Sequence, residues 1–420
     1  MTLKNRLIIM NFLQYAAWGA YLTCMGIYLK NVGLKDHIGI FFAMQGIVSI
    51  FMPALMGIVA DRWIQAQRLL GICHAVAGGF MVGAALYATS VGTPDFTTLF
   101  ILYSISVAFY MPTISLSNSV AYNGLTQAGL DTVKEFPPIR VFGTVGFIAT
   151  MWFVDLTGMK STQNQFMVSG VISIMLFLYS FTLPVCPINK KVEKKGIIDA
   201  LGLRAITLFK NKQMAIFFIF SMLLGMCLQI TNGFATPFIE SFKEIPQYKG
   251  AFAVDYPVIL YSISQISETL CILLIPFFMK RYGIKRVMLI AMFAWVFRFG
   301  LLGFGNPGFP GVALLILSMI VYGVAFDFFN ISGSLYVERT TDTSIRSSAQ
   351  GLFMLMTNGL GATIGSLAAQ EIVKNTVVGP GSGWSNAWYI FAGFAFLVGI
   401  LFMFVFKEPQ KAGEPETENK

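Results

Sequence analysis

The stretch GVALLILSMIVYGVAFDFFNISGSL, residues 311–335, contains a single charged residue, Asp327. About 20 consecutive apolar residues are enough for an α-helix to cross the hydrocarbon core of a bilayer. The stretch therefore predicts a transmembrane helix. An ionised carboxylate in that environment costs about 2.5–3.5 kcal/mol on insertion scales, so Asp327 requires a partner, a water-filled cavity or a function.

The rest of the chain has the same character. Of its 420 residues, 56% are hydrophobic and only 12% are charged, which is too apolar for a soluble domain and predicts an all-α membrane protein. The first run is expected to be a retained helix because no small-residue cleavage site follows it. Twelve apolar runs predict crossings at residues 7–29, 38–60, 69–90, 97–122, 138–158, 164–184, 213–237, 256–279, 285–305, 311–335, 345–372 and 384–406.

The distribution of basic residues orients these crossings. Most of the 29 Lys and Arg residues fall in loops that share one side of the membrane if the amino terminus is cytoplasmic. Cytoplasmic loops gather Lys and Arg, so both termini are predicted to be cytoplasmic. The net charge of +9 follows from this topology and requires no nucleic-acid partner.

A polar segment, NKKVEKKGIIDALGLRAITLFKNK, divides the crossings into six and six. It predicts an amino-terminal half (1–184), a cytoplasmic linker (185–212), a carboxyl-terminal half (213–406) and a cytoplasmic tail (407–420). Two such halves are typical of transporters built from repeats. The turn after the second crossing resembles the G-x-x-x-D-R loop signature of the major facilitator superfamily through Gly57, Asp61 and Arg62, although a basic turn also follows from the positive-inside rule.

Four crossings carry polar and aromatic residues at helical spacing. Positions three, four and seven apart share one helix face, and such a face is expected to line an interior rather than lipid. Amides, a guanidinium, carboxylates and aromatic rings suit a neutral, polar, partly planar solute. The faces comprise Arg140, Thr144 and Phe147; Gln229 and Asn232; Gln265 and Glu268; and Tyr322, Phe326 and Asn330, with Asp327 one step round the last helix.

Structural interpretations of these residues remain open. Arg140 follows two prolines at a helix start, where a basic side chain can snorkel to the lipid headgroups. The amides can join helices by hydrogen bonds, and the aromatic rings can simply fill space. Glu268 and Asp327 can pair with Arg140 or Arg298, and Arg298 is itself expected to be a structural partner or helix anchor.

Other chemistries lack a sequence signature. GFGNPG, residues 303–308, follows no strand, so it does not predict a dinucleotide site. The five cysteines lack metal-ligand spacing, and neither a metal, a cofactor nor an enzymatic reaction is expected. His74 is interpreted as a packed or hydrogen-bonded residue. Gly361 and Gly365 are interpreted as a close-packing pair.

Several longer runs carry a family resemblance. EFPPIRVFGTVGF, MLLGMCLQITNGF, SISQISETL, PFFMKRYGIK, VYGVAFDFFNISGS and SSAQGLFMLMTNGLG resemble the bacterial nucleoside:proton symporters of the major facilitator superfamily. The resemblance covers nearly the whole chain. It implies a monomeric, multi-pass carrier in the lipid of the bacterial cytoplasmic membrane that moves nucleosides with protons by alternating access. Some members of the family have an acidic residue where this chain has Cys227.

The resemblance also implies roles for individual residues. The proton-coupling carboxylate implied by the resemblance is Asp327. A permease for another polar solute, such as a sugar, is the main alternative, whereas a sensor or a membrane enzyme would require a further domain or a reactive group. The substrate-binding residues implied are Arg140, Thr144, Phe147, Gln229, Asn232, Gln265, Glu268, Tyr322 and Phe326.

Overall fold

The structure is a computed structural model that describes residues 2–188, 203–342 and 345–407. Helices and short turns account for nearly all of these residues, which confirms the predicted all-α class. Residues 189–202 of the predicted linker and residues 408–420 of the predicted tail lie outside the described ranges. The side chain of Asp61, from the predicted loop signature, is also outside them.

The amino-terminal half begins with a divided crossing. Residues 20–24 separate α1 from α2, yet Met25 N donates to Tyr21 O at 2.8 Å, so turns carry the chain onward. The predicted single helix over residues 7–29 is therefore two helices joined by hydrogen-bonded turns. The elements of this half are α1 (Leu3–Gly19), α2 (Met25–Asn31), α3 (Ile38–Arg62), α4 (Ala66–Val91), α5 (Phe96–Gln127), α6 (Thr132–Leu156) and α7 (Asn164–Ser180).

The carboxyl-terminal half contains a helix long enough to cross twice. It is interrupted at Gly283, whose φ of 74° is a backbone conformation that glycine adopts without steric cost. A π-helical segment, Leu355–Gly361, lies within the eleventh crossing. The α-helices of this half are α8 (Lys212–Ser241), α9 (Phe252–Asp255), α10 (Pro257–Phe304), α11 (Gly311–Thr340), α12 (Arg346–Met354), α13 (Ala362–Thr376) and α14 (Trp384–Val405).

The described helices supply the predicted twelve crossings. Nine of the described helical segments are long and apolar enough to span a bilayer. The double-length α10 accounts for two crossings, and the shorter α7 and the divided α1–α2 pair account for the sixth and the first. Each half therefore holds six crossings.

Close contacts between helices that border the central cavity depend on glycine at three positions. A Cβ at Gly146 of α6 would lie 2.2 Å from the Phe12 carbonyl oxygen of α1. A Cβ at Gly365 of α13 would lie 2.5 Å from the Met226 Cα of α8. Neither distance is sterically allowed, so these helix pairs approach because the side chain is absent. Gly361 similarly faces the Met222 carbonyl oxygen at 2.5 Å, and the predicted close packing is confirmed.

A buried hydrogen-bonded network stabilises the interior of the amino-terminal half. His74 Nε2 lies 2.7 Å from Gln14 Oε1, and Gln14 Nε2 donates to Thr113 Oγ1 at 2.7 Å. The Tyr110 hydroxyl donates to the Gln14 carbonyl oxygen at 2.5 Å. Hydrogen bonding of this kind satisfies polar groups that the membrane cannot solvate. His74 is thus a hydrogen-bonded residue, as its sequence context predicts.

Several hydrogen bonds join the two halves at their outer ends. Gln370 of α13 accepts from the Gly39 backbone N at 2.8 Å and donates to the Lys35 carbonyl oxygen at 3.2 Å. Asp155 at the end of α6 accepts from the Ile259 backbone N of α10 at 2.7 Å. The outer side of the interface between the halves is therefore closed.

Candidate substrate site between the two halves

A cavity lies between the halves, with one wall from each. The amino-terminal wall consists of α1, the turn that follows it and α6, and the carboxyl-terminal wall consists of α8, α10 and α11. All the predicted binding residues except Gln229 line this cavity. Its lining residues are Tyr15, Trp18, Leu22, Arg140, Thr144, Phe147, Leu228, Asn232, Gln265, Glu268, Tyr322 and Phe326.

The amino-terminal wall presents a guanidinium group and three aromatic rings. The Arg140 Cζ atom lies 3.8 Å from the Tyr15 ring centroid. A Cβ at Gly143 would lie 2.6 Å from Tyr15 Cδ2 and 2.7 Å from Arg140 Nη1, so the missing side chain leaves room for this contact. Trp18 and Phe147 meet edge to face, with ring centroids 6.1 Å apart at 90°. Arg140 therefore lines the cavity above an aromatic face, and the snorkelling interpretation does not describe its position.

The carboxyl-terminal wall includes an ordered pair of amides. Asn232 Nδ2 donates to Gln229 Oε1 at 3.2 Å, and Asn232 Oδ1 accepts from the Tyr261 hydroxyl at 3.1 Å. Asn232 lines the cavity, whereas Gln229 is 8% exposed and lies behind it. Asn232 therefore faces the cavity, and Gln229 holds Asn232 in place by a hydrogen bond.

Aromatic and carboxyl groups complete this wall. The Tyr322 and Phe326 rings stack at 5.7 Å with an interplanar angle of 10°. Gln265 Oε1 is buried without a hydrogen-bond partner among the described residues. Glu268, from the same helix as Gln265, lines the cavity and interacts electrostatically with Arg140 across it. Hydrogen-bond donors, acceptors and flat rings therefore face one volume.

Asp327 is adjacent to the cavity rather than part of its lining. Its side chain is 5% exposed, and its Oδ2 atom has no hydrogen-bond partner within the described residues. No ion pair joins it to Arg140 or Arg298 in the described part of the chain, so the alternative interpretation, a structural pairing of Asp327 with one of these arginines, is not seen in this conformation.

Asn330 extends the same helix toward the cytoplasm. It lines a smaller neighbouring space with Phe326, Phe329 and Asn358 instead of the central cavity. The predicted face of α11 therefore divides, because one face of a long helix spans more depth than a single cavity occupies.

The sequence interpretation missed part of the lining. Tyr15, Trp18 and Leu22 follow one another at spacings of three and four, which is the signal that marks a shared helix face. Aromatic residues in an apolar run usually fill packed interiors, so the spacing alone did not single them out. Leu228 is an apolar residue on the amide-bearing face of α8 and had no distinguishing signal.

Comparison with known proteins identifies the family. The nucleoside H+ symporter family matches residues 1–411. Xanthosine permease of Escherichia coli (strain K12) is 47% identical over 98% of both chains. Nucleoside permease NupG of the same organism is 46% identical over 97% of this chain and 96% of its own. A solved structure of NupG, covering 97% of this chain and 100% of its own, superposes with a TM-score of 0.88.

A more distant comparison bears on the fold alone. The xylose transporter XylE from E. coli is 15% identical and superposes with a TM-score of 0.70 over 96% of both chains. The two chains therefore share a fold despite their low sequence identity. The family match, the two close relatives and the matching solved structure together show that this chain belongs to the nucleoside H+ symporter family.

Proposed function

We propose that this protein takes up nucleosides together with protons across the bacterial cytoplasmic membrane, and that the nucleoside binds in the central cavity. The observation that carries the proposal is the composition of the cavity lining in a chain of this family. Amides, a guanidinium, a carboxylate and flat rings converge there from both halves. A nucleoside offers matching surfaces, because it has a planar base with polar edges and a ribose with hydroxyl groups.

The aromatic residues would bind the base. Phe147 from one half and Phe326 from the other each offer a ring to the cavity, and offset stacking on such a ring is favourable. Asn232 and Gln265 carry both donors and acceptors, so they suit the mixed donor and acceptor edges of a base. Gln229 contributes through Asn232, whose amide orientation it fixes by a hydrogen bond.

The polar and charged residues would bind the ribose. The Glu268 carboxylate accepts hydrogen bonds, and Thr144 and Arg140 donate them. These residues come from opposite walls, so a ribose held among them touches both halves at once. Substrate binding then favours conformations in which the walls are close.

Asp327 is proposed as the proton carrier. When protonated, Asp327 is neutral and can move with its helix in the membrane interior. When ionised, it requires water or a cation. The buried, unpartnered Oδ2 atom supports this assignment. At a membrane potential on the order of 150 mV, one proton moving inward releases about 3.5 kcal/mol, enough for roughly 10²- to 10³-fold accumulation.

Transport would proceed by rocking of the halves, residues 1–184 and 213–406, about the cavity. The present conformation is closed outside by the Gln370 and Asp155 hydrogen bonds. Opening those contacts would admit substrate from the outside. Because both walls of the cavity come from one chain, a monomer in the lipid bilayer is the proposed functional unit, and no catalytic step is assigned to it.

Counterflow into proteoliposomes tests the proposed function. Vesicles loaded with unlabelled uridine should take up labelled uridine, whereas vesicles loaded with unlabelled hexose should not take up labelled hexose. The opposite result would support a sugar permease and overturn the nucleoside assignment. A collapse of uridine accumulation on adding a protonophore is the expected sign of proton coupling.

A further inference from the structure

Arg298 is the largest charged side chain buried in the described part of the protein, with 0% exposure. It lies on the second crossing of α10, behind the carboxyl-terminal wall of the cavity. Its Nη1 atom donates to the Ser318 carbonyl oxygen at 2.8 Å and to Ser264 Oγ at 3.3 Å. Its Nε and Nη2 atoms have no hydrogen-bond acceptor among the described residues.

A helix anchor does not require this charge. Burying a cation is costly, and replacing a buried charged group by an apolar one of similar volume is often neutral or stabilising. No described ion pair joins Arg298 to a carboxylate that would offset the cost. The two serine contacts use only one of its three nitrogen atoms. Packing alone therefore does not explain why a charged guanidinium group is buried at this position.

The contacts of the guanidinium group with aromatic rings indicate a different role. Its Cζ atom lies 4.5 Å from the Tyr322 ring centroid and 5.7 Å from the Tyr261 ring centroid. Tyr322 lines the cavity and stacks on Phe326. Tyr261 does not line the cavity, but its hydroxyl donates to Asn232 Oδ1. Arg298 thus contacts the residues that support both the aromatic and the amide parts of one wall.

We propose that Arg298 is a positioning residue for the nucleoside site, acting through Tyr322 and Tyr261. The cation holds the Tyr322 ring by a cation–π contact, which fixes the plane on which Phe326 stacks. It also interacts electrostatically with the Tyr261 hydroxyl, the group that orients Asn232. Sites held by such supporting groups lose affinity when the support is removed.

This inference rests on the proposed function, since it concerns how the same cavity binds nucleosides. It assigns Arg298 no contact with substrate. A cationic side chain at this position should therefore preserve part of the affinity for uridine that Arg298 contributes, whereas an apolar side chain should preserve none of it. A helix anchor would show this dependence in the stability of the protein and not in the Kd for uridine.

Equilibrium binding of labelled uridine to purified protein tests the inference. Arg298→Met keeps much of the volume and removes the charge, so the Kd should rise at least about tenfold, while Arg298→Lys should give a rise of about threefold. Ser318→Ala is the matched control, because it removes the hydrogen bond from Ser318 Oγ to the Arg298 carbonyl oxygen but leaves the guanidinium contacts intact. Its Kd should stay within about twofold of the wild-type value.

A double-mutant cycle covers the case in which Arg298→Met does not fold. Tyr261→Phe removes the hydroxyl that reaches Asn232, through which Arg298 acts in part, so the combined effect of Tyr261→Phe and Arg298→Lys on Kd should be smaller than the product of the two single effects. Multiplicative effects, or a wild-type Kd in Arg298→Met, would overturn the positioning role. Failure of the wild-type protein to bind uridine would instead overturn the proposed function.

Discussion

Lys30 of α2 and Glu240 of α8 form an ion pair at 3.3 Å across the outer ends of the two halves. Lys30 also reaches Glu244 at 3.4 Å. The pair lies on the same side as the Gln370 hydrogen bonds, which join α13 to α3 and to the turn before it. Lys30 is partly exposed and Glu244 is exposed, so water and salt weaken this cluster of ion pairs. Backbone contact between the halves is therefore expected to decide how firmly this side closes.

A larger side chain at the contact between α3 and α13 should hold the outer side open. A Cβ at Gly39 would lie 2.5 Å from Gln370 Cβ and 2.6 Å from the Ser366 carbonyl oxygen. Gly39→Val is therefore expected to disfavour the closed state and to reduce the initial rate of uridine uptake at least about tenfold. Uptake at matched protein levels measures the effect.

Gly79→Val is the control for that substitution. Gly79 lies on α4, and a Cβ there would meet nothing within 4 Å. This variant should transport like the wild type. Normal transport by Gly39→Val would show that the outer contact between α3 and α13 is not part of the transport cycle.

The amide pair provides a graded prediction. Asn232→Ala removes a cavity-lining amide and should weaken uridine binding by about 1–3 kcal/mol, the usual cost of leaving a polar partner unsatisfied. Gln229→Ala removes only the support for Asn232, so its loss should be smaller. Isothermal titration of both purified variants tests the order. Wild-type affinity in both would return these amides to a role in helix association.

Arg140 and Glu268 face each other across the cavity, and their geometry can be tested by conservative changes. Lysine keeps the charge of Arg140 but not the planar fork that stacks on Tyr15. Arg140→Lys should therefore lower uridine uptake at least about tenfold, a loss of roughly 1.4 kcal/mol.

Glu268→Gln tests the opposite wall by the same measurement. It keeps the shape of the side chain but introduces a donor where a carboxylate accepts. A clear fall in the initial rate of uridine uptake is expected. Wild-type rates in either variant would remove the corresponding residue from the proposed site.

The sequence predicted the crossings and the interior-facing helix faces because both depend on local information. Apolar length defines a transmembrane helix, and spacings of three and four define a face. Arg140, Thr144 and Phe147 share the cavity wall for this reason. The α1–α2 division at residues 20–24 had no such signal, since that stretch contains no proline or glycine.

Contacts between residues far apart in the sequence could not be predicted from local patterns. Arg298 showed no polar companion on its own helix face, yet Tyr261, Ser264 and Ser318 supply its contacts from other crossings. The separation of Asp327 from the cavity lining likewise depends on how α11 rotates against α10. Helical spacing gives the face of one helix and not its rotation against another.

Asp327→Asn tests the central claim most directly, because the amide keeps the shape of the carboxyl group but cannot release a proton. The measurement compares proton-driven accumulation of uridine with uridine counterflow in proteoliposomes containing the variant. The account predicts that accumulation above the equilibrium concentration is lost while uridine binding and counterflow persist. Undiminished proton-driven accumulation by the variant would contradict the assignment of Asp327 as the proton carrier.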